Sequence, residues 1–219
     1  MTLHFNQLAP SIPFILGGIW VTLMYTGVSV VLGTILGCGL ALCRLSKVRL
    51  IAWVSTAYVS VFRGTPLLVQ LSIFYFATPQ LRGYKISPFE AAILAFSLNS
   101  AAYIAEIIRA GIQAVDRGQE EAAQSLGLSR FLIMRDIILP QAIKNILPAL
   151  VNEFVSLLKE SVIVSIIGEM DLLRRAQLVS AEKYIYFEPL VLIAVVYYIL
   201  VMTLASFAKL LERRLRRSD

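Results

Sequence analysis

The chain has 219 residues, 58% of them apolar and only 16% charged, with a mean hydropathy of +0.76 and a formal charge of +6. This composition excludes a soluble enzyme and makes the bilayer the solvent of the chain. The positive charge sits in clusters, Arg44 with Lys47 and Arg49 and the tail Arg213, Arg214, Arg216 and Arg217, which read as cytoplasmic anchors rather than as a nucleic-acid-binding face.

No charged side chain precedes Arg44, and Phe5 to Cys43 far exceeds the roughly 20 apolar residues that a spanning helix needs. The first basic residue follows the apolar core instead of preceding it, so this segment is expected to be retained rather than cleaved as a signal. Cys38 and Cys43, five residues apart on one helix, point in different directions and read as small apolar side chains rather than a disulfide. His4 is the only histidine, and no metal site is expected.

Five apolar segments follow in order: about Pro13 to Cys43, Leu50 to Ala77, Pro88 to Ile112, Ala142 to Gly168, and Pro189 to Ala208. Each is near or above spanning length, and all are expected to be helical because lipid offers backbone polar groups no other partner. The second is interrupted by Arg63, Gly64, Thr65 and Pro66, which predict a kink near the cytoplasmic side. That kink is either a helix irregularity with a snorkelling arginine or a functional hinge. The polar stretches Gln113 to Gln141 and Glu169 to Glu188 are expected on opposite sides of the membrane. Arg44 to Arg49, then Arg117, Arg130, Arg135 and Lys144, and the C-terminal tail share one face, which the excess of Lys and Arg makes cytoplasmic. The other face still carries Arg82, Lys85, Arg174, Arg175 and Lys183. The expected architecture is an all-α integral membrane domain over 1–219, with its core at about 13–211. It has five transmembrane helices, the N-terminus outside and the C-terminus cytoplasmic.

Within the loop 113–141, Gly118 to Gly127 reads as a short helix ended by glycine. Ser129 to Ile138 reads as a second one that Leu139 and Pro140 terminate. Glu120 and Glu121 suit the positive end of the first helix dipole, and Ala122 and Ala123 give it a surface that another protein can approach closely. An ordinary helical hairpin that closes the bundle has a similar composition. The stretch resembles the EAA loop of ABC importer permeases: Glu121, Ala122, Ala123, Gly127, Ile137, Leu139 and Pro140 stand at that family's spacing. In that family the loop is a coupling helix that inserts into a separate ATPase subunit.

The resemblance extends over nearly the whole chain and narrows to the polar amino acid subfamily. Its signatures are similar to Phe62 through Gln70, to Ala102 through Gly111, and to Gly118-Gln119. Closer still, the run is similar to glutamine permeases, with Lys159-Glu160-Ser161 where many members have Lys-Asp-Thr-Ser. The resemblance implies a type I ABC importer permease fold and two permease copies, identical or paired with a sister protein. These copies would sit on two ATPase subunits in the bacterial inner membrane and receive substrate, glutamine by closeness, from an external amino-acid-binding protein. No Walker-type sequence occurs in the chain, so ATP and Mg belong to the partner ATPase and no cofactor is expected on this chain.

Asn152, Ser156, Lys159 and Glu160 recur on one face of the fourth segment, with Glu153 at its edge. A charge at the bilayer centre costs on the order of 3 kcal/mol, so this face is expected to meet protein or a wet cavity. Either it lines a translocation pathway for a zwitterion, or Lys159 forms an internal ion pair with Glu160 or Glu153. Asn99, Ser100 and Tyr103 are further candidates for the pathway, or else form a polar packing seam. Glu106 and Arg109 are spaced as a structural pair. The rival readings are an ion-gradient-driven secondary transporter, with Glu153 and Glu160 as proton sites, and a membrane scaffold without transport activity.

Overall fold

The computed structural model describes residues 4–216, and every regular element among them is helical. Arg217, from the basic tail, lies outside the described residues. After short turns from Phe5, helix α1 (Gly18–Arg44) buries Ser29, Gly33, Gly37 and Ala41 on one side. A Cβ on Gly33 would stand 2.9 Å from the Ser100 Cβ, and one on Gly37 would stand 2.8 Å from the Ile104 Cβ. This stripe of small residues, four apart, lets α1 press its backbone against α4 (Pro88–Gln113), the way closely approaching membrane helices pack.

Helix α4 is the centre of the bundle. It starts at a capping box, in which Ser87 Oγ accepts from the Glu90 N–H and the Glu90 carboxylate accepts from the Ser87 N–H. It packs against α1, α2 (Arg49–Gly64) and α6 (Leu139–Glu160). Gly111 lets α6 approach at Ile146. The second apolar segment is not merely kinked: α2 and α3 (Leu67–Leu81) meet at 101°. Thr65 and Pro66 are extended between them, and Pro66 has no N–H with which to continue the helix.

In the Gln113–Gln141 loop, α5 (Arg117–Ser125) is capped by Asp116, whose carboxylate accepts from the Gly118 N–H. The expected stop at Leu139-Pro140 does not occur. Arg130–Leu132 leads into a π-helical turn, Ile133–Ile138, and α6 continues from Leu139. Pro140 falls in the first turn of α6, and the wide π turn before it relieves the lost hydrogen bond. Helix α6 passes into a 3-10 turn, Ser161–Ile167, that Gly168 ends with φ +92.

The polar stretch after Gly168 contains a helix that its composition concealed, α7 (Leu172–Lys183), capped by Asp171. Tyr184, with φ +55, then turns the chain into α8 (Phe187–Arg216). Phe5–Arg44, Pro88–Gln113 and Phe187–Leu210 have the length and apolarity to span a membrane, and α2 with α3 qualifies as a bent pair. Helix α6, expected as a further span, carries Lys144, Glu153, Lys159 and Glu160, which lower its apolarity.

Candidate functional site

The site is built on the α2–α3 break. An interrupted helix frees backbone carbonyls, and Gln70, one turn into α3 and buried, meets them. Its Nε2 donates to the Phe62 carbonyl at 2.8 Å, to the Thr65 carbonyl at 3.1 Å and to Thr65 Oγ1 at 2.9 Å. Asn99 Nδ2 on α4 donates to the same Phe62 carbonyl and to Gln70 Oε1, both at 3.2 Å. Asn99 is therefore a clamp on the break as well as a lining residue. Gln70 was not singled out from the sequence as a site residue, where a lone amide in an apolar run was the available signal, and its partners are set by the fold.

Beyond the break, Arg63 lies over the Tyr103 ring, 5.2 Å from its centroid, and 3.8 Å from the Glu106 carboxylate. The expected Glu106–Arg109 pair forms, and Arg44 from the end of α1 joins it. One carboxylate thus faces three guanidiniums from three helices. Arg44 and Arg109 take the tight contacts, which leaves Arg63 at the longest distance and 40% exposed.

Two hollows share Arg63, Gly64 and Tyr103. One, of about 330 Å³, is also lined by Thr65, Pro66, Asn99 and Glu160. The other, of about 440 Å³, is lined by Arg44, Thr56, Ser60 and Glu106. Arg63 stands in the wall between a compartment bearing Glu160 and one bearing Glu106.

The structure regroups the charged face of α6. Glu153, which the spacing places at the edge, lies beside Ser100 and within electrostatic reach of both Glu160 and Arg63. Glu153 and Glu160 are seven residues apart and so share a face, with Ser156 between them, whereas Asn152 and Lys159 are about 100° around the helix. Both of the latter are exposed, as is Glu160, whereas Glu153 is half-buried. Among the described residues Lys159 forms no ion pair with Glu153 or Glu160. Arg63, contributed by another helix, lines one hollow with Glu160 and lies within electrostatic reach of Glu153, while Lys159 stays within electrostatic reach of Glu160.

The loop residues form a second unit. Ala123 is buried against Ile133, Ile138 and Val115, while Glu120, Glu121 and Ala122 are exposed. Gly127, with φ +76, closes α5. Its N–H donates to the Gln124 carbonyl and the Leu128 N–H donates to the Ala123 carbonyl, an arrangement that strongly favours glycine. Ile137 packs onto this cluster, and Leu139 and Pro140 are exposed.

Residues 29–217 match the family described as the inner membrane component of binding-protein-dependent transport systems. The chain belongs to that family. This transport permease is 51% identical over 219 residues, with all of both chains covered, to an arginine transport system permease protein of Bacillus subtilis. It is 55% identical over 206 residues, 94% of each chain, to a Rickettsia conorii protein named for a glutamine transport system permease. A crystal structure of an amino acid ABC transporter with histidines contains a chain 47% identical to it, with a TM-score of 0.94 and coverage of 98% of this chain and 100% of the other. The permease is thus an ABC transporter subunit of the amino acid group, and its fold is that of a solved permease.

Proposed function

We propose that this permease is the membrane-spanning subunit of an ATP-driven importer of polar amino acids in the bacterial inner membrane. Five spans place the N-terminus outside and the C-terminus in the cytoplasm, with α6 completed by its partners as the fourth span. The observation that carries the reading is that Arg63 and Glu160 line one hollow beside a clamped helix break, with Glu153 within electrostatic reach of both. A zwitterion needs a cation for its carboxylate and an acceptor for its ammonium group. Arg63 suits the first, and a glutamate suits the second. Asn99 and Tyr103 complete the lining, Ser100 stands beside Glu153 and Ser156 on the same face of α6, and the break at Arg63 to Pro66 is the hinge about which the hollow opens.

Two permease copies, identical or paired with a sister subunit, enclose the pathway, and an external binding protein delivers the substrate. The α5 hairpin inserts into each of two ATPase subunits, which hold ATP and Mg. Glutamine, favoured by the sequence, leaves one of the two carboxylates without a cation. A basic amino acid engages both, so the second carboxylate favours an arginine-like cargo.

The test is uptake into liposomes containing the permease, its ATPase and its binding protein, with ATP inside, for labelled glutamine and labelled arginine in parallel. ATP-dependent uptake that Gly127→Asp abolishes, together with loss of ATPase co-purification, supports the reading. Uptake driven by a proton gradient without the ATPase overturns it in favour of a secondary transporter, and no uptake of any amino acid favours a scaffold. Stronger competition by arginine than by glutamine supports the two-carboxylate cargo site.

A further inference from the structure

Helix α4 presents different chemistry on its two sides. Asn99, Tyr103 and Glu106 line the polar hollows, whereas Ile104, Ile108 and Ile112 line a separate cavity of about 360 Å³. At about 100° per residue the two sets lie roughly 180° apart on the helix. The second cavity lies between α1, α4, α6 and the π turn of the loop hairpin. Its walls include Cys38 and Leu42 of α1, Leu150 of α6 and Met134 of the π turn.

Nothing in this groove is suited to a polar guest. Its one hydroxyl, Thr34 Oγ1, donates to the Val30 carbonyl of its own helix at 2.7 Å. The recess arises because Gly37 draws α1 onto Ile104, and the small side chains Cys38 and Ala41 that follow do not fill the space left beside it. Two of its walls, α1 and α4, are helices of membrane-spanning length and apolarity, so its mouth opens among lipid tails. At the loop end of the groove the chain passes from Leu45 to exposed Lys47 and Arg49, cations suited to a phosphate headgroup.

A second copy of the chain is the other possible cover. The polar hollows on the opposite side of α4 already require a protein wall, because their charges cannot face hydrocarbon. The apolar groove has no such requirement.

We propose that this groove holds one acyl chain of a phospholipid from the leaflet on the loop-hairpin side, wedged between α1, α4, α6 and the hairpin. The guest touches both the bundle through Ile108 and the hairpin through Met134, so its presence braces the joint between them.

The full complex with ATPase and binding protein is placed in nanodiscs containing a phospholipid with a photoreactive acyl chain, and adducts are mapped by mass spectrometry after illumination. Adducts are expected on the peptide bearing Ile104, Ile108 and Ile112. Cys38→Trp, which plugs the groove, is expected to reduce them severalfold while leaving adducts on the exposed face of α8 unchanged. If Cys38→Trp does not assemble, Thr34→Leu plugs the same groove and is read in the same way. Adducts on that peptide that neither plug diminishes overturn the proposal. A disulfide between Cys38 residues of two copies, formed under mild oxidation in the complex, also overturns it by assigning the groove to a second copy. Neither readout depends on which amino acid is carried.

Discussion

Glu106 carries an unequal load, one carboxylate against the guanidiniums of Arg44, Arg63 and Arg109, with its side chain only 21% exposed. Replacing it with glutamine removes the charge and leaves three cations crowded where α1, α2 and α4 meet. Breaking a fully buried pair in this way costs about 3–5 kcal/mol, and the partial exposure of this cluster reduces that cost, so Glu106→Gln is expected to lower the thermal midpoint of the purified permease by several degrees. An unchanged midpoint shows that the three arginines are neutralised by something else. Asp171, outside the membrane-spanning segments, provides a second residue-scale test. Burial pushes its carboxyl up to about 6, with nearby Glu169 raising it further, while the backbone N–H groups that it caps oppose the rise. Because the folded state holds this proton more tightly than the unfolded chain, stability falls as pH rises from about 4, the ordinary carboxylate range, to about 6. The loss is at most about 3 kcal/mol. Asp171→Asn keeps a capping oxygen on α7 and has no proton to lose. A midpoint-against-pH curve is expected to be flatter for the variant across that window, and an identical slope assigns the pH dependence to another group.

At the scale of elements, the joint of α1 and α4 rests on the absence of side chains. Gly37→Leu inserts a branched side chain where even a Cβ would touch Ile104 at 2.8 Å, and overpacking of this kind costs about 1–3 kcal/mol. The same substitution at Gly27, where a Cβ meets nothing within 4 Å, is expected to be close to neutral. Comparing the two in a thermal melt separates packing from glycine's own backbone cost. The elements differ in how far the sequence revealed them. Helix α4 was legible to within a residue, because its apolar run is bounded by Pro88 and by the polar Gln113. The break after Gly64 was legible as an interruption, but its 101° was not, since the angle depends on Gln70 and Asn99 clamping carbonyls from a distance. Helix α7 was missed because it is short and carries Arg174, Arg175, Glu182 and Lys183 instead of a long apolar run. Pro140 was misread because the signal for a helix stop is also tolerated after a π turn. In the candidate site, the carboxylates could be found as charges in an apolar segment. That Arg63 comes within electrostatic reach of Glu153 and shares a hollow with Glu160 could not be assigned, because proximity between α2 and α6 has no local signature.

For the whole molecule, the arrangement of charge implies that a single copy is incomplete. Glu160 and Lys159 are exposed at the end of α6, and the Arg63 hollow is open on one side. Each charge held near the bilayer centre costs about 2.5–3.5 kcal/mol on insertion scales, so in the proposed assembly a second copy and a wet pathway would remove a penalty that the lone chain bears. Replacing Lys159 and Glu160 together with leucine should therefore act in opposite directions on the lone chain and on the assembly. Expressed alone, the double variant is expected to reach a higher membrane yield and a higher thermal midpoint than the original sequence. In the assembled transporter, the same variant is expected to lose ATP-driven uptake, because the hollow loses one of the carboxylates set against Arg63. Yield on expression alone, compared with uptake by the reconstituted complex, checks both directions at once. An unchanged lone-chain yield would mean that these charges are already compensated within one copy, and the polar face would then need no partner to cover it.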